Sequence, residues 1–292
     1  MKGREPAPTG LSWRRTLVQG RPARYGVGGS GPPVVFLHGW GLGHRSYERA
    51  LWSLVRSGHR VVAPALPGFG GTADLPASDR SLGGYARWVT GFLDAVGICE
   101  PVVLVGHSFG GGVAIGTAAD APDRVHLLVV VNSIGGSAWS HRGGVLRSMA
   151  ERPFWDWGLH LHDDLWPLRQ ATRVLPVIIQ DAVGNVLRNP AAFWRVGRLA
   201  ATADLSAELE QLKQRRLPVV VLWGDSDRVI PQASAESLRA ALGAAEIRTV
   251  PGSHSWLLAD PEGFGEVITN VVGLATDLGA PVDGVGAVDG AA

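Results

Sequence analysis

Apolar residues occur in short runs along the chain, and amphipathic segments separate these runs. Four runs rich in Val and Leu lie in the first half: PVVFLHG (33–39), RVVAPALPG (60–68), PVVLVGHS (101–108) and VHLLVVVNS (125–133). Nearly continuous apolar runs of this length are typical of strands that are covered on both faces. Helical patterns at 47–57, 82–96 and 109–119 lie between them. This strict alternation predicts an α/β fold with a parallel sheet flanked by helices.

The pattern changes at both ends of this region. The segment LSWRRTLVQGRPARYGV predicts an antiparallel hairpin that turns at Gly20, and residues 135–216 are helical and Trp-rich without strand alternation. Alternation resumes with LPVVVLWGDSD (217–227), a helix at 232–241, EIRTVPGSH (246–254) and a helix at 261–274. We therefore predict a core over 11–134 and 217–275, interrupted by a helical insertion over 135–216. The aperiodic Gly, Ala, Val and Asp of 276–292 predict a disordered tail.

Composition narrows the functional classes. The chain has 292 residues, of which 46% are hydrophobic, and a formal net charge of +1. This balance gives no electrostatic reason to expect nucleic acid or an anionic membrane as a partner. The N-terminus lacks the apolar stretch of a secretory signal, and no run reaches the ~20 apolar residues of a membrane span. With Cys99 as its single cysteine, the protein is expected to be cytoplasmic, without stable membrane insertion.

The segment Gly106-His107-Ser108-Phe109-Gly110 joins a predicted buried strand to a predicted helix of small residues. A sharp turn there would place the Ser108 hydroxyl at its apex, clear of the sheet. Side chains two residues before and after the serine would collide across so tight a turn, and glycine occupies both positions. G-x-S-x-G in this strand–turn–helix context is the pattern of a nucleophile elbow.

A serine hydroxyl needs a base that takes its proton, and the base needs a carboxylate. His254 follows the last predicted strand, so it is expected at the same sheet edge as Ser108 and is the candidate base. The preceding strand ends in GDSD, which offers Asp225 and Asp227. We favour Asp227, because the loop must extend beyond the strand to approach His254, and we expect Asp225 to cap the local turn. The strand at 125–133 carries Asn132 there, which argues against an acid at that position.

The tetrahedral intermediate of acyl transfer requires preorganised N–H donors. One donor is expected from the amide of Phe109, at the start of the helix after the nucleophile. The other is expected from Trp40 in the loop FLHGWGLG, where Gly39 and Gly41 allow a close approach to the serine. His38 is expected to shape this loop rather than to act as a second base.

With these motifs in order, the chain resembles the α/β-hydrolase superfamily from about Leu11 to Leu274. The motifs that carry the resemblance are HGWG, LPGFGGT, GHSFGG, GDSDRVIP and GSHS, in the family's order Ser…Asp…His. The resemblance implies a mostly parallel eight-stranded sheet and identifies the insertion at 135–216 as a lid over the active site. It also implies a serine hydrolase with an acyl-enzyme intermediate, without a cofactor.

The lid is where we expect substrate selection. Its aromatic and apolar residues predict a pocket for an acyl chain or aromatic group, although the same residues would also pack a lid onto the core. The candidate substrate-binding residues are Trp155, Trp157, Trp166 and Trp194, with Phe154, Phe193, Leu159, Leu161 and Leu165 around them. In HLHDD (160–164) the His and Asp side chains do not converge on one helix face, so no metal site is expected.

Three functions remain open from the sequence. We favour the hydrolysis of a carboxylic ester, and we expect the substrate to be a small-molecule ester. Relatives with the same triad hydrolyse carbon–carbon bonds of ring-fission products or act as cofactor-free perhydrolases, and the former often carry Asn where this chain has His107. A noncatalytic receptor on this fold would bind its ligand with negligible turnover.

Overall fold

The computed structural model describes residues 10–136, 168–230, 232–243 and 245–279. Its eight strands form one sheet in the order β1-β2-β4-β3-β5-β6-β7-β8. The strands are β1 Ser12–Val18, β2 Arg21–Gly28, β3 Pro33–Leu37, β4 Arg60–Pro64, β5 Val102–His107, β6 Val125–Val131, β7 Val219–Gly224 and β8 Glu246–Val250. β2 pairs antiparallel with β1 and β4, and the other pairs are parallel. The predicted α/β fold with a mostly parallel eight-stranded sheet is confirmed.

Helices cover both faces of this sheet. They are α1 Glu48–Arg56, α2 Leu82–Ala95, α3 Phe109–Asp120, α4 Leu168–Arg188, α5 Pro190–Ala201, α6 Ser206–Gln214, α7 Gln232–Ala241, α8 Trp256–Ala259 and α9 Pro261–Gly279. Buried residues of α2, α3, α6 and α7 form the core on one face, and those of α1, α8 and α9 form the core on the other. Successive residues of β5 alternate between the two cores, as the twofold period of a strand requires.

Two boundaries differ from those expected. α6 lies within the segment assigned to the insertion, yet its Leu209 and Leu212 are buried in the main core and the helix packs against α3 and α7. α9 runs to Gly279, beyond the expected end of the last helix and into the segment assigned to the tail. Residues 276–279 are helical although their aperiodic sequence predicted no regular structure. Residues 137–167 of the insertion and 280–292 of the tail lie outside the described residues.

Three histidines are buried in this core without a carboxylate partner among the described residues. His38 donates from Nδ1 to the Gly39 carbonyl (2.9 Å), and its Nε2 accepts from the Leu66 amide (2.8 Å). These bonds shape the loop after β3, as expected for His38. Burial lowers the pKa of His38 from 6.5 to about 4. Burial, together with the charges of His38, Arg45 and Arg24, lowers the pKa of His44 to about 3. Burial also lowers the pKa of His107 to about 3.

We expect the free energy of unfolding to fall as the pH decreases from about 6.5 to about 4. Over this range the unfolded chain binds protons at these histidines, whereas the folded chain keeps them neutral, so acid favours unfolding. Each histidine contributes up to about 1.4 kcal/mol per pH unit, and above its unfolded pKa it contributes no slope. Urea unfolding at a series of pH values measures the slope. His44→Gln should reduce the slope by about a third, whereas His126→Gln, at an exposed site, should leave it unchanged. A flat profile would contradict the prediction.

Candidate active site

Ser108 lies in a sharp turn between β5 and α3. Its backbone dihedrals are φ 55° and ψ −119°, in a region that L-residues rarely adopt. A Cβ at Gly106 would lie 2.6 Å from the Gly111 Cα, and a Cβ at Gly110 would lie 2.6 Å from the His38 carbonyl oxygen. Both flanking positions therefore require glycine. The clash at Gly106 is across the turn, as the sequence indicates, whereas the clash at Gly110 is with the chain that follows β3.

The loop after β3 approaches this turn closely. A Cβ at Gly39 would lie 3.2 Å from the Ser108 Cβ, and Gly41 has a φ of +80°. Trp40 lies between these glycines and lines the same cavity as Ser108. The amide of Phe109 is the first N–H of α3, which the helix itself leaves without an acceptor. The two expected oxyanion donors thus lie in segments on either side of the serine.

Asp227 is held by donors from two loops and a neighbouring strand end. Its Oδ2 lies 2.9 Å from His254 Nδ1 and 2.6 Å from the amide nitrogen of Asn132. Its Oδ1 accepts from the backbone amides of Val229 (2.8 Å) and Ile230 (2.9 Å). The side chain of Asp227 is 0% exposed and that of His254 is 8% exposed. The pair is therefore a desolvated carboxylate–imidazole pair.

The electrostatics favour an ionised Asp227. Burial alone would raise the pKa of this carboxyl group. The charge of His254 and the hydrogen bonds from His254, Ile230 and Asn132 outweigh burial, so the pKa of Asp227 lies below its usual 3.8. An ionised carboxylate at Nδ1 fixes the imidazole tautomer and leaves Nε2 to receive a proton.

Asn132 is a functional candidate that the sequence analysis considered only as a missing acid. Its Oδ1 accepts from the indole Nε1 of Trp256 (2.9 Å). Since an indole nitrogen is a donor only, the amide nitrogen of Asn132 must face Asp227. Asn132 also has a positive φ of 44°. Its position after β6, between the strands that carry Ser108 and Asp227, was the available signal.

Asp225 lies apart from this network. It is exposed, and its Oδ1 accepts from the Gly252 amide (3.0 Å) and the Ser226 hydroxyl (2.8 Å). These bonds tie the loop after β7 to the loop after β8, which is the turn-capping role expected for it.

Ser108 and His254 line one cavity of about 110 Å³. Most of the other residues around it are apolar or glycine: Gly39, Trp40, Gly41, Leu42, Tyr47, His107, Ile134, Ile178, Ala182, Phe193, Ala200, Val229 and Ser255. The cavity can therefore hold an apolar group against the serine and exclude most water.

Helices α4 and α5 of the insertion form part of this cavity and bind the loop after β3. The indole Nε1 of Trp40 donates to the Phe193 carbonyl (2.7 Å). The side chain of Asn185 donates to the Gly41 carbonyl (3.0 Å), and the Gly43 amide donates to Asp181 (2.7 Å). These helices thus hold the loop that carries Trp40 as well as closing the cavity.

Of the four tryptophans predicted to bind substrate, only Trp194 lies within the described residues, and its side chain does not lie where the prediction placed it. Trp194 is 49% exposed and is not among the residues that line the cavity, whereas Phe193 lines it. Adjacent helical residues point about 100° apart, so α5 presents Phe193 to the cavity and turns Trp194 outward. Trp155, Trp157 and Trp166 lie outside the described residues, as do the other predicted pocket residues 154, 159, 161 and 165 and the segment 160–164.

Two further features concern the described part of the chain. None of its helices has the length and apolarity that crossing a bilayer demands. No group of three or more His, Cys, Asp or Glu residues there is arranged to hold a metal ion.

The chain is similar in sequence to known proteins. A model described as the alpha/beta hydrolase family matches residues 34–267. The chain is 32% identical over 269 residues to the pimeloyl-[acyl-carrier protein] methyl ester esterase of Aromatoleum aromaticum, a match that covers 82% of this chain and 98% of the relative. It is 28% identical over 242 residues to the 2-hydroxy-6-oxo-2,4-heptadienoate hydrolase of Pseudomonas putida, with 78% and 84% covered.

A solved structure gives the same fold. The crystal structure of a membrane phospholipase A, described as a bacterial virulence factor, superposes with a TM-score of 0.72 at 24% identity, covering 92% of this chain and 88% of that one. At this identity the likeness concerns the fold alone. Since the family model matches most of the sequence and the eight-stranded sheet agrees with it, the chain belongs to the alpha/beta hydrolase family.

Proposed function

We propose that this protein is a serine hydrolase that cleaves carboxylic esters with a lipophilic or aromatic acyl group. One observation carries the proposal: His254 bonds through Nδ1 to the buried carboxylate of Asp227 and lines the same cavity as Ser108. A neutral imidazole held in this way has its other nitrogen available as a general base.

In the proposed reaction, the Ser108 oxygen attacks the ester carbonyl while His254 Nε2 takes the serine proton. Asp227 stabilises the imidazolium, and the amides of Phe109 and Trp40 donate to the developing oxyanion. Collapse of the tetrahedral intermediate releases the alcohol, which receives the proton from His254. Water, activated by His254, then attacks the acyl-enzyme and releases the acid.

The walls of the cavity support an apolar acyl group. The cavity that contains Ser108 is lined by Ile178, Phe193 and Val229. Among the lining residues that the structure describes, none is Asp, Glu, Lys or Arg. A charged acyl group would lose its hydration there without a partner. The esterase relative is named for a methyl ester substrate, which supports ester cleavage as the reaction class.

Carbon–carbon bond hydrolysis is the second candidate, because the Pseudomonas putida relative is named as a hydrolase of 2-hydroxy-6-oxo-2,4-heptadienoate. A panel of p-nitrophenyl esters of increasing acyl length, run beside a ring-fission product of this type, separates the two reactions. The ester proposal requires faster turnover of an ester of the panel. A preference for the ring-fission product would replace it, and ligand binding without turnover of either class would indicate a receptor.

We expect Ser108→Ala to lower ester turnover by about 10⁴-fold or more, because the nucleophile is lost. The rate of p-nitrophenolate release and covalent labelling by a fluorophosphonate measure the effect. Ser133→Ala is the matched control, since this buried hydroxyl bonds the Ile134 carbonyl (2.8 Å) and does not line the cavity. Hydrolysis by Ser108→Ala at the wild-type rate would remove Ser108 as the nucleophile.

Asp227→Asn should reduce kcat/KM by about 10³- to 10⁴-fold, because an amide in place of the carboxylate favours the wrong imidazole tautomer. Asp225→Asn provides the comparison and should cost less than about tenfold, since its bonds are confined to exposed loops. Steady-state kinetics on one activated ester compares the two variants. The opposite order would transfer the acid role to Asp225.

Phe193→Ala should raise KM for aromatic and long-chain esters by about tenfold, because it removes an apolar wall of the cavity. Trp194→Ala removes a larger ring from the next position, which is half exposed, and should leave KM within about twofold. Equal effects in both variants, measured on the same ester series, would contradict this assignment of the pocket wall.

A further inference from the structure

A chain of buried hydrogen bonds runs behind the candidate active site and joins two of its loops. His107, which precedes Ser108, is 2% exposed, and Tyr47 is fully buried. The Nε2 of His107 lies 2.9 Å from the carbonyl oxygen of His254, and its Nδ1 lies 2.9 Å from the hydroxyl of Tyr47. That hydroxyl in turn lies 3.2 Å from the backbone nitrogen of Gly39.

The chemistry of the groups determines which one donates and which one accepts in each bond. A carbonyl oxygen can only accept, so His107 Nε2 carries a proton and donates to His254. Burial lowers the pKa of His107 to about 3, so the ring is neutral and its Nδ1 accepts from Tyr47. The hydroxyl oxygen of Tyr47 then accepts the Gly39 N–H. In this chain of hydrogen bonds, each bond therefore has one donor and one acceptor. No other placement of the protons satisfies all of the groups.

The two ends of this chain lie at residues that the proposed reaction uses. Gly39 precedes Trp40, the expected oxyanion donor, and the other end is the backbone of the candidate base. Close packing leaves little freedom between them: the rings of His107 and His254 are 4.9 Å apart, and a Cβ at Gly39 would lie 3.1 Å from His107 Nδ1. A shift at either end would therefore be transmitted to the other.

We propose that Tyr47 and His107 are positioning residues that set the oxyanion loop and the loop of the base at a fixed separation. This inference rests on the proposed function. Both residues also line the cavity, but their hydrogen bonds go to neighbouring residues, and neither supplies a proton to the reaction. A displacement of about 1 Å at a reacting group is enough to slow catalysis by about 100-fold, so a chain that prevents such a displacement affects kcat more than substrate binding.

The first test removes the groups one at a time. Tyr47→Phe leaves the Gly39 amide without its acceptor, and His107→Leu removes both bonds of the imidazole. Each should lower kcat by about 10- to 100-fold while KM stays within about twofold. His107→Gln is the rescue variant, because its side-chain N–H can still donate to the His254 carbonyl, and it should recover much of the lost rate. Circular dichroism and thermal melting establish that each variant is folded at the assay temperature.

Tyr85→Phe is the matched control. Tyr85 is also buried, and its hydroxyl donates to the Pro67 carbonyl (2.9 Å), but it does not line the cavity. The same chemical deletion should therefore lower the melting temperature without lowering kcat. A loss of kcat in Tyr85→Phe equal to that in Tyr47→Phe would assign the effect to general destabilisation and overturn the proposal.

A double variant tests whether the two residues act as one unit. If Tyr47 and His107 belong to one hydrogen-bond network, Tyr47→Phe combined with His107→Leu should lower kcat by clearly less than the product of the two single losses. A loss of kcat in the double variant equal to the product of the two single losses would indicate independent roles and contradict the proposal. If His107→Leu does not fold, His107→Ala takes its place in the cycle.

Fluorophosphonate labelling separates failure of this inference from failure of the proposed function, because it reports the reactivity of Ser108 without a natural substrate. Labelling of the wild type, with slower labelling of Tyr47→Phe and His107→Leu, supports both. If folded variants are labelled as fast as a labelled wild type, the positioning role is wrong and the serine hydrolase remains. A wild type that is not labelled overturns both.

Discussion

The buried carboxylate of Asp227 is the constraint on which the site depends. Removing a carboxylate from water costs several kcal/mol unless hydrogen bonds replace its hydration. Here two backbone amides, the Asn132 side chain and the His254 imidazole replace it. Because backbone amides occupy Oδ1 and the side chains of Asn132 and His254 occupy Oδ2, the carboxylate has one orientation, and the imidazole bonded to it has one as well. In the proposed reaction, the direction of the second imidazole nitrogen, Nε2, is fixed by the same bond.

A second set of contacts fixes the loop that carries Trp40. The hydroxyl of Tyr47 holds Gly39 from the side of the core, whereas Phe193, Asn185 and Asp181 hold the residues after it from the side of α4 and α5. The helices that form the wall of the cavity therefore also define the position of the expected oxyanion donor. In such an arrangement, a change in the helices that alters substrate preference also alters the rate of the chemical step.

The sequence predicted the fold and the sharp turn at Ser108 because both leave local signals. Apolar runs mark buried strands, and Gly106 is needed where the backbone turns this sharply. The contacts of Asn132, Tyr47 and His107 could not be predicted, since each joins residues that are distant in the chain and depends on how strands and helices pack. The sequence analysis placed both Phe193 and Trp194 at the predicted pocket. Both neighbours are aromatic, so the helical period gives their relative directions but not which of them faces the cavity.

The composition of the cavity wall bears on how selective the protein is. Polar groups are concentrated at the serine and the base, while the remaining wall is largely apolar. An apolar wall discriminates between neighbouring members of a series by only about 1–3 kcal/mol per methylene group, whereas a wall with buried donors rejects a mismatched ligand far more strongly. For the proposed ester hydrolase, a wall of this kind favours a series of related acyl groups over a single substrate.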